Sequence, residues 1–475
     1  MSSRFRRLVV WFRRDLRLHD NPALHAACSD AESVVPVAVV PDDEPGAEAC
    51  AARSSFADAS RACLDAALRE HDGRLTIRQG DPVEELPRLV RELGAEGLYH
   101  ERAFEPMGLA RDAWVRRAVE AAGGFVREHP GRTVHDPDAL RTSAGRPFTV
   151  FTAFYRAWLA QPLEPPLPAP DTVNCVEGVS GLPPATHVQM PRFEPGERAA
   201  RSALARFVVQ RLRGYASTRD ELAAEGTSRL SVHLRVGTIS AREVVWTALG
   251  AASSTDSVAR ESVRVFVSEL AWRDFYHHVL HHHPHVAQES FRPALRDIAW
   301  ADDDALRQAW QEGRTGYPLV DAAMRQLHAE SWMHNRARMV TASFLSKDLL
   351  VDWRRGEGWF MRHLADGDLA ANNGGWQWSA GTGTDAQPFF RVFSPVVQGR
   401  RFDPDGAYVR RYVPELERAP TSLIHEPWRM SASDQAAAGC RIGRDYPAPV
   451  VDHARQRLEA VRLYREAAAR HRGDA

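Results

Sequence analysis

Over the first 130 residues, short apolar runs alternate with longer amphipathic stretches. The runs are LVVWF (8–12), VVPVAVV (34–40), RLTIRQ (74–79), GLYHE (97–101) and GFVRE (124–128). Their length and their β-branched and aromatic content predict strands. The stretches 54–71, 82–93 and 106–122, rich in Ala, Leu and Arg, predict helices between them. That alternation predicts an α/β domain with a parallel sheet covered on both faces. No glycine-rich dinucleotide fingerprint follows the first strand. WFRRDLRLHDNPAL (11–24) stands there instead, and reads as a basic loop that caps the next helix through Asp20 or Asn21, with Pro22 in its first turn.

The pattern changes near residues 130 and 200. Proline clusters at 162–170 and 183–195 break any long helix, so 131–200 reads as a surface connector. One apolar-aromatic piece of it, PFTVFTAFYRAWL, is expected to dock on the domain that follows. From 201 to 475 the periodicity is helical and rich in aromatics. HHVLHHHPH (277–285) reads as the solvated end of a helix stopped by Pro284, in preference to a metal site at i, i+4 spacing. The last twenty or so residues read as an amphipathic helix.

Composition narrows the function. With 44% hydrophobic and 26% charged residues, the chain is an ordinary soluble globular protein. Net charge is -1, so nucleic-acid binding requires a local basic patch. Lys347 is the sole lysine, and arginine suits bidentate phosphate contacts. Cys28, Cys50, Cys63, Cys175 and Cys440 form no CxxC pair, which argues for free thiols without zinc or a disulfide framework. No signal peptide and no membrane-spanning run is expected.

Four stretches carry candidate chemistry. DGDLAANNGGWQW (366–378) holds two acids, adjacent amides, a Gly-Gly pair and two tryptophans. It reads either as a buried turn with core tryptophans or as the wall of a flat ligand's pocket. EGTSRLSVHLRVG (225–237) places Thr227, Ser228 and Ser231 around a helix start, as a plain serine cap or an anion cradle. In SELAWRDFYHH, Glu269, Trp272, Arg273 and Tyr276 share one helix face, a pattern typical of half-buried core. ESWMHNRARMVTASFLSKDLLVDWR (330–354) predicts a helix interrupted near its middle. Its core stripe is Met333, Ala337, Val340 and Phe344, beside a more polar stripe of Asn335, Met339 and Ala342.

Together these words resemble the photolyase/cryptochrome family over essentially the whole chain, most strongly from 215 to 400. They are closest to bacterial class I cyclobutane pyrimidine dimer photolyases. The resemblance implies a Rossmann-like antenna domain (1–130), the connector (131–200) and a large all-α FAD- and DNA-binding domain (201–475). By it, Tyr215, Thr227, Ser228, Arg229, Leu230, Ser231, Arg273, Asn335, Arg338, Asp366, Gly367, Asp368 and Asn372 contact FAD. Arg338 pairs with Asp366, and Asn372 faces flavin N5. Arg219, Glu269, Trp272, Arg273, Tyr276, Asn335, Arg336, Met339 and Trp378 meet DNA or the lesion. Trp300, Trp353 and Trp376 form the electron relay, and with Asn372 and Glu269 make up the catalytic set. Asp274 stands where the family usually has Glu. His334 lies in the MHNR form of the cyclobutane-dimer enzymes rather than in the histidine pair of (6-4) photolyases.

The implied activity is light-driven repair of cyclobutane dimers in DNA by reduced FAD, on a flipped-out dimer. No metal is needed, and the protein is expected to be a cytoplasmic, nucleoid-associated monomer. The resemblance implies that the sheet seats an antenna: Glu105 lies near a position that touches methenyltetrahydrofolate in some relatives, but the lysine expected around 285–292 is missing, and Ala103 replaces the aspartate of an 8-hydroxy-5-deazaflavin site, so folate, deazaflavin, another flavin and an empty site all stay open. A cryptochrome-type light sensor and a plain flavin or nucleotide electron carrier are the alternatives.

Overall fold

The computed structural model describes residues 4–41, 50–183, 190, 192–253 and 256–473. Part of the second proline cluster, 184–189 and 191, lies outside the described residues, as do the first three residues of the N-terminal run. Five strands, β1 (Phe5–Phe12), β2 (Ala31–Val40), β3 (Thr76–Gln79), β4 (Gly97–Glu101) and β5 (Phe125–His129), pair in parallel in the order β3-β2-β1-β4-β5. The order reverses at β1. Right-handed crossovers therefore put α1 (Pro22–Asp30) and α2 (Ala51–Arg69) on one face, and α3 (Pro82–Leu93) and α4 (Pro106–Ala121) on the other. Alternate positions of β1 sort accordingly. Val9 and Trp11 pack with Leu86, Leu89, Val115 and Val119 of α3 and α4. Leu8, Val10 and Phe12, equally buried, point the other way. Covering both faces is what makes the strands continuous apolar runs.

The chain divides into two compact units, one running to Ala216 and resuming over Thr227–Pro284, the other comprising Ser217–Gly226 and His285 onward. The first unit adds α5 (Phe151–Ala160), α6 (Glu197–Gln210), the first half of α7 (Tyr215–Thr218), α8 (Ser231–Val236), α9 (Ala241–Gly250) and α10 (Ser257–His282) to the sheet. These breaks differ from the compositional boundaries at 130 and 200, and the 11–24 loop is one reason. Asn21 caps α1, its Oδ1 accepting from Leu24 N at 3.0 Å, which frees Asp20 for another partner. Buried Asp20 accepts from Ser240 Oγ at 2.5 Å and pairs with Arg242. Arg17, 1% exposed, donates to Gly237 O at 3.1 Å. Gly237 has φ +76°, and a Cβ there would lie 1.7 Å from Arg14 O, so only glycine lets the loop seat against the end of α8.

The connector is pinned as well. Trp158 of α5 donates to Asp274 Oδ2 at 3.0 Å, and Val134 N donates to the same oxygen at 2.8 Å. Asp274, the departure from the family's Glu, thus ties α10 to two points of the connector. Burial pushes its carboxyl up to about 6, against the pull of Arg273 and these donors. The histidine tract corrects an expectation. His277 and His278 are buried rather than solvated. His278 accepts from Phe148 N at 3.0 Å through Nε2, so it donates through Nδ1 to Pro137 O at 3.1 Å and is held neutral. Periodicity marks a helix end but not what lies across it, and here the connector covers it.

In the second unit, α11 (Asp304–Gln311), α12 (Pro318–Glu330), α13 (Asn335–Lys347), α14 (Trp353–His363), α15 (Leu369–Ala380), α16 (Pro395–Phe402), α17 (Ala407–Tyr412) and α18 (Ala432–Ala438) contribute to one core, while α19 (His453–Gly473) packs with Leu295, Ile298 and Leu350 in a second cluster. That core contains Met333, Ala337, Val340 and Phe344, the predicted stripe. The interruption expected near the middle of 330–354 is not there: α13 runs unbroken from Asn335 to Lys347, and the chain breaks instead at 331–334 and at 348–352, where Leu350 turns left-handed (φ +54°) and Asp352 caps α14. The terminal amphipathic helix is α19, which buries Ala460, Leu463, Tyr464 and Ala467.

Candidate functional site

In the second unit the site residues lie on α13, α14 and α15. The Asp366–Gly367 turn joins α14 to α15, with Gly367 N donating to Leu364 O. Arg338 of α13 pairs with Asp366 (Nη2 to Oδ2, 2.8 Å), whose side chain is 2% exposed against 25% for the arginine. Asp368 caps α15, one oxygen accepting from Ala370 N and Ala371 N at 3.1 and 3.2 Å. Asn372 sits one turn on, and its amide donates to Glu357 O and Oε1, both at 3.1 Å. Its carbonyl oxygen is therefore the end the helices leave for another partner. One turn further, a Cβ added at Gly375 would meet nothing within 4 Å. Space beside a mid-helix glycine, flanked by a fixed amide, suits a flat ring.

Trp376 occupies the buried side of the same helix, 2% exposed. It meets Phe360 edge-on at 5.0 Å and Trp310 at 6.0 Å, and lies against Gly356 of α14, where a Cβ would fall 2.1 Å from its ring. Trp353, 1% exposed, is one turn earlier on α14. Neither buried indole N–H has a hydrogen-bond partner among the described residues. Trp300 is partly buried against both the main core and the α19 cluster, and meets Tyr464 edge-on at 5.9 Å. Trp378, Met339 and Arg338 are half-buried, and Asn335 is exposed. Arg336 pairs with Asp220 (2.8 Å) and lies over Phe402 at 4.4 Å, so a phosphate would have to share its guanidinium. Arg219 lies 3.9 Å from the same aspartate.

In the first unit, α8 begins at Ser231 with Leu230 in the cap position and no side-chain cap bond, so the plain serine cap is not formed. Arg229 is left-handed at φ +54°, and Ser228 Oγ accepts from Leu230 N at 3.4 Å. Buried Tyr215 packs edge-on against Phe207 and Phe266. Along α10, Glu269, Trp272, Arg273 and Tyr276 form a half-buried face, as their spacing predicts. Arg273 Nη1 donates to Arg132 O at 2.8 Å and lies 3.5 Å from Asp274. That nitrogen is turned to the connector rather than to the flavin or a phosphate, as Asp274 draws it inward. Sequence reasoning missed Glu357, Asp220, Gly356 and Phe151, each defined by a contact across helices rather than by a local word.

Comparison with known proteins decides what these elements belong to. Residues 8–171 match DNA photolyase, and residues 266–466 match the FAD binding domain of DNA photolyase. The deoxyribodipyrimidine photo-lyase of Halobacterium salinarum is 42% identical over 98% of this chain and 99% of that protein. That of Escherichia coli is 39% identical over 97% of this chain and 98% of that protein. The chain belongs to the photolyase/cryptochrome family. A class III photolyase structure from Agrobacterium tumefaciens superposes with TM-score 0.91 at 36% identity, covering 98% of both chains. A Synechocystis cryptochrome gives 0.90 at 29% identity, over 98% of this chain and 100% of the other. Likeness to class I wording is thus shared with a class III structure.

Family membership makes FAD the cofactor of the helical domain, and the space at Gly375 beside Asn372 fits its ring. An archaeal photolyase structure from Sulfolobus tokodaii with two FAD molecules, taken there to imply a novel light-harvesting cofactor, gives TM-score 0.83 at 29% identity, over 97% of this chain and 100% of that one. Here Glu105 pairs with Arg14, and Ala103 N donates to Asp112. Arg13 lies over Trp11 at 4.2 Å and pairs with Asp112. Asp138, His281 and His282 gather potential metal donors, but Arg102 and Arg141 already reach that carboxylate at 2.9 and 3.0 Å and would repel a cation. Among the described residues no helix is long and apolar enough to cross a membrane.

Proposed function

We propose that this protein repairs cyclobutane pyrimidine dimers in DNA in a light-driven reaction. The observation that carries the reading is near full-length similarity to proteins named deoxyribodipyrimidine photo-lyase. When bound in reduced form, FAD supplies a photoexcitable one-electron donor, the hard part of the chemistry. The chain supplies placement and a dry surround.

Each assigned residue then has one task. Thr227, Ser228 and Ser231, with the backbone around Leu230 and with Tyr215, hold the cofactor's phosphate end. Arg338, fixed by Asp366, and the Gly367–Asp368 turn also contact the cofactor. Asn372 offers a neutral carbonyl whose orientation Glu357 sets, and a group that carries no charge does not oppose a change of charge on its neighbour. Trp272 and Trp378 offer faces for stacking a flipped base, and Met339 adapts to its shape. Glu269 accepts from a base edge. Arg219 and Arg336 contact backbone phosphates, Arg336 while still paired to Asp220. Trp376, Trp353 and Trp300 conduct electrons between the interior and solvent.

Illumination of purified protein with thymine-dimer oligonucleotide is the test. Return of thymine absorbance supports repair. Flavin photoreduction without it would favour the light-sensor reading, which the likeness to the Synechocystis cryptochrome keeps in view.

A further inference from the structure

Three near-parallel rings form a column in the first unit. Phe151 and Tyr155, one turn apart on α5, stack at 5.5 Å and 10°. Phe151 and Trp272 stack at 3.7 Å and 10°. The other rings that reach Trp272, Phe275 and Tyr276, meet it at 78° and 40°. Trp272 keeps part of its surface exposed.

Both sides of this column are anchored. Phe154, on the inner side of α5, packs against Phe275 and His278 of α10. Trp158 is bonded to Asp274, buried two positions along from Trp272. Phe151 therefore cannot swing away without lifting α5 from α10.

We infer that Phe151 is a positioning residue for the stacking surface of Trp272. It covers one face of the indole, fixes its plane, and leaves the opposite face for a planar base. The inference rests on the proposed reading of Trp272 as a platform for a damaged base. An indole free on both faces would lose rotamer freedom on each binding event; one already held in a column loses less, and that difference appears as affinity. At 3.7 Å between centroids the two rings lie almost directly over one another, so Phe151 covers that face of the indole. Tyr155 extends the column by a second layer, so the plane of Trp272 is set by α5 as well as by α10.

The test uses full-length, FAD-loaded protein in the dark at one salt concentration. Phe151→Leu removes the ring and keeps apolar bulk; Phe151→Tyr restores a ring. Affinities are measured for an oligonucleotide carrying one thymine dimer and for its undamaged counterpart, alongside flavin content and thermal melting. The expected result is that Phe151→Leu weakens dimer binding about fivefold, holds undamaged binding within about twofold, and leaves flavin content as in wild type, while Phe151→Tyr recovers the preference. Unchanged or tighter dimer binding by Phe151→Leu overturns the inference, tighter binding because the ring would then occupy the base's own place. Equal loss on both oligonucleotides with a lowered melting temperature overturns it too, since that describes packing alone. Should wild type itself show no preference for the dimer, the reading of Trp272 falls first and the role of Phe151 with it.

Discussion

The second unit's α13–α15 cluster and the first unit's α10 face solve opposite problems. On α14 and α15, Trp353, Trp376 and Gly356 are locked into a core where one added methyl group would strike an indole ring. On α10, Glu269, Trp272 and Tyr276 stay half-buried, and Trp272 is steadied by a neighbour's ring rather than enclosed. Groups that work from inside the protein need fixed spacing. Groups that meet something from outside need a fixed plane and an open side.

Perturbations of the enclosed cluster should therefore cost fold stability, and those of the open face should cost recognition. The largest effect is expected for Arg338→Met, which strands the buried Asp366 carboxylate. Loss of one partner of a buried pair costs roughly 3–5 kcal/mol, and the partial exposure of Arg338 argues for the lower end. Urea unfolding checks it. Gly356→Ala should follow, at about 1–3 kcal/mol from overpacking against Trp376 and Leu345, and photoreduction of oxidised FAD should slow as that ring shifts. Trp376→Phe keeps the packing but removes the indole, so photoreduction should fall by about tenfold or more while pre-reduced protein retains repair. Unchanged photoreduction would remove Trp376 from the relay.

A third site sharpens the contrast through pH. Lys347, the sole lysine, is fully buried, donates to Arg391 O at 3.0 Å, and is brought down to about 7 by burial. The unfolded chain then binds the extra proton between about pH 7 and the ordinary lysine value, so stability rises with pH across that window. Lys347→Met should flatten that slope. The adjacent Asp348, pushed up to about 6 by burial against its His453 partner, works at lower pH and in the opposite sense. Its neutral form is favoured by folding, so that contribution fades as pH rises toward 6. The smallest effect is expected for Glu269→Ala, a loss of about 1–2 kcal/mol in dimer recognition with flavin content unchanged. A drop in bound FAD would relocate Glu269 to the cofactor.

Much of this was legible in the chain. Strand positions, the α13 stripe and the α10 face follow from periodicity and turn residues, which are local. What was not legible depended on which element covers which. His278 looks solvated until the connector is laid over it. Asp274 looks like a weakened ligand until Trp158 and Val134 reach it. Asn372 reads alone as a ligand contact, yet half of its amide belongs to Glu357, fifteen residues earlier on another helix. Phe151 looks like generic apolar docking surface until its ring is seen parallel to Trp272.

Whether light, a bound flavin and a damaged base meet on this chain to reverse the damage is read from thymine absorbance while FAD-loaded, reduced protein is illuminated with dimer-containing DNA. Recovery in blue light and none in the dark is predicted. A protein that binds FAD and photoreduces it, yet leaves the dimer intact under light, would contradict the account.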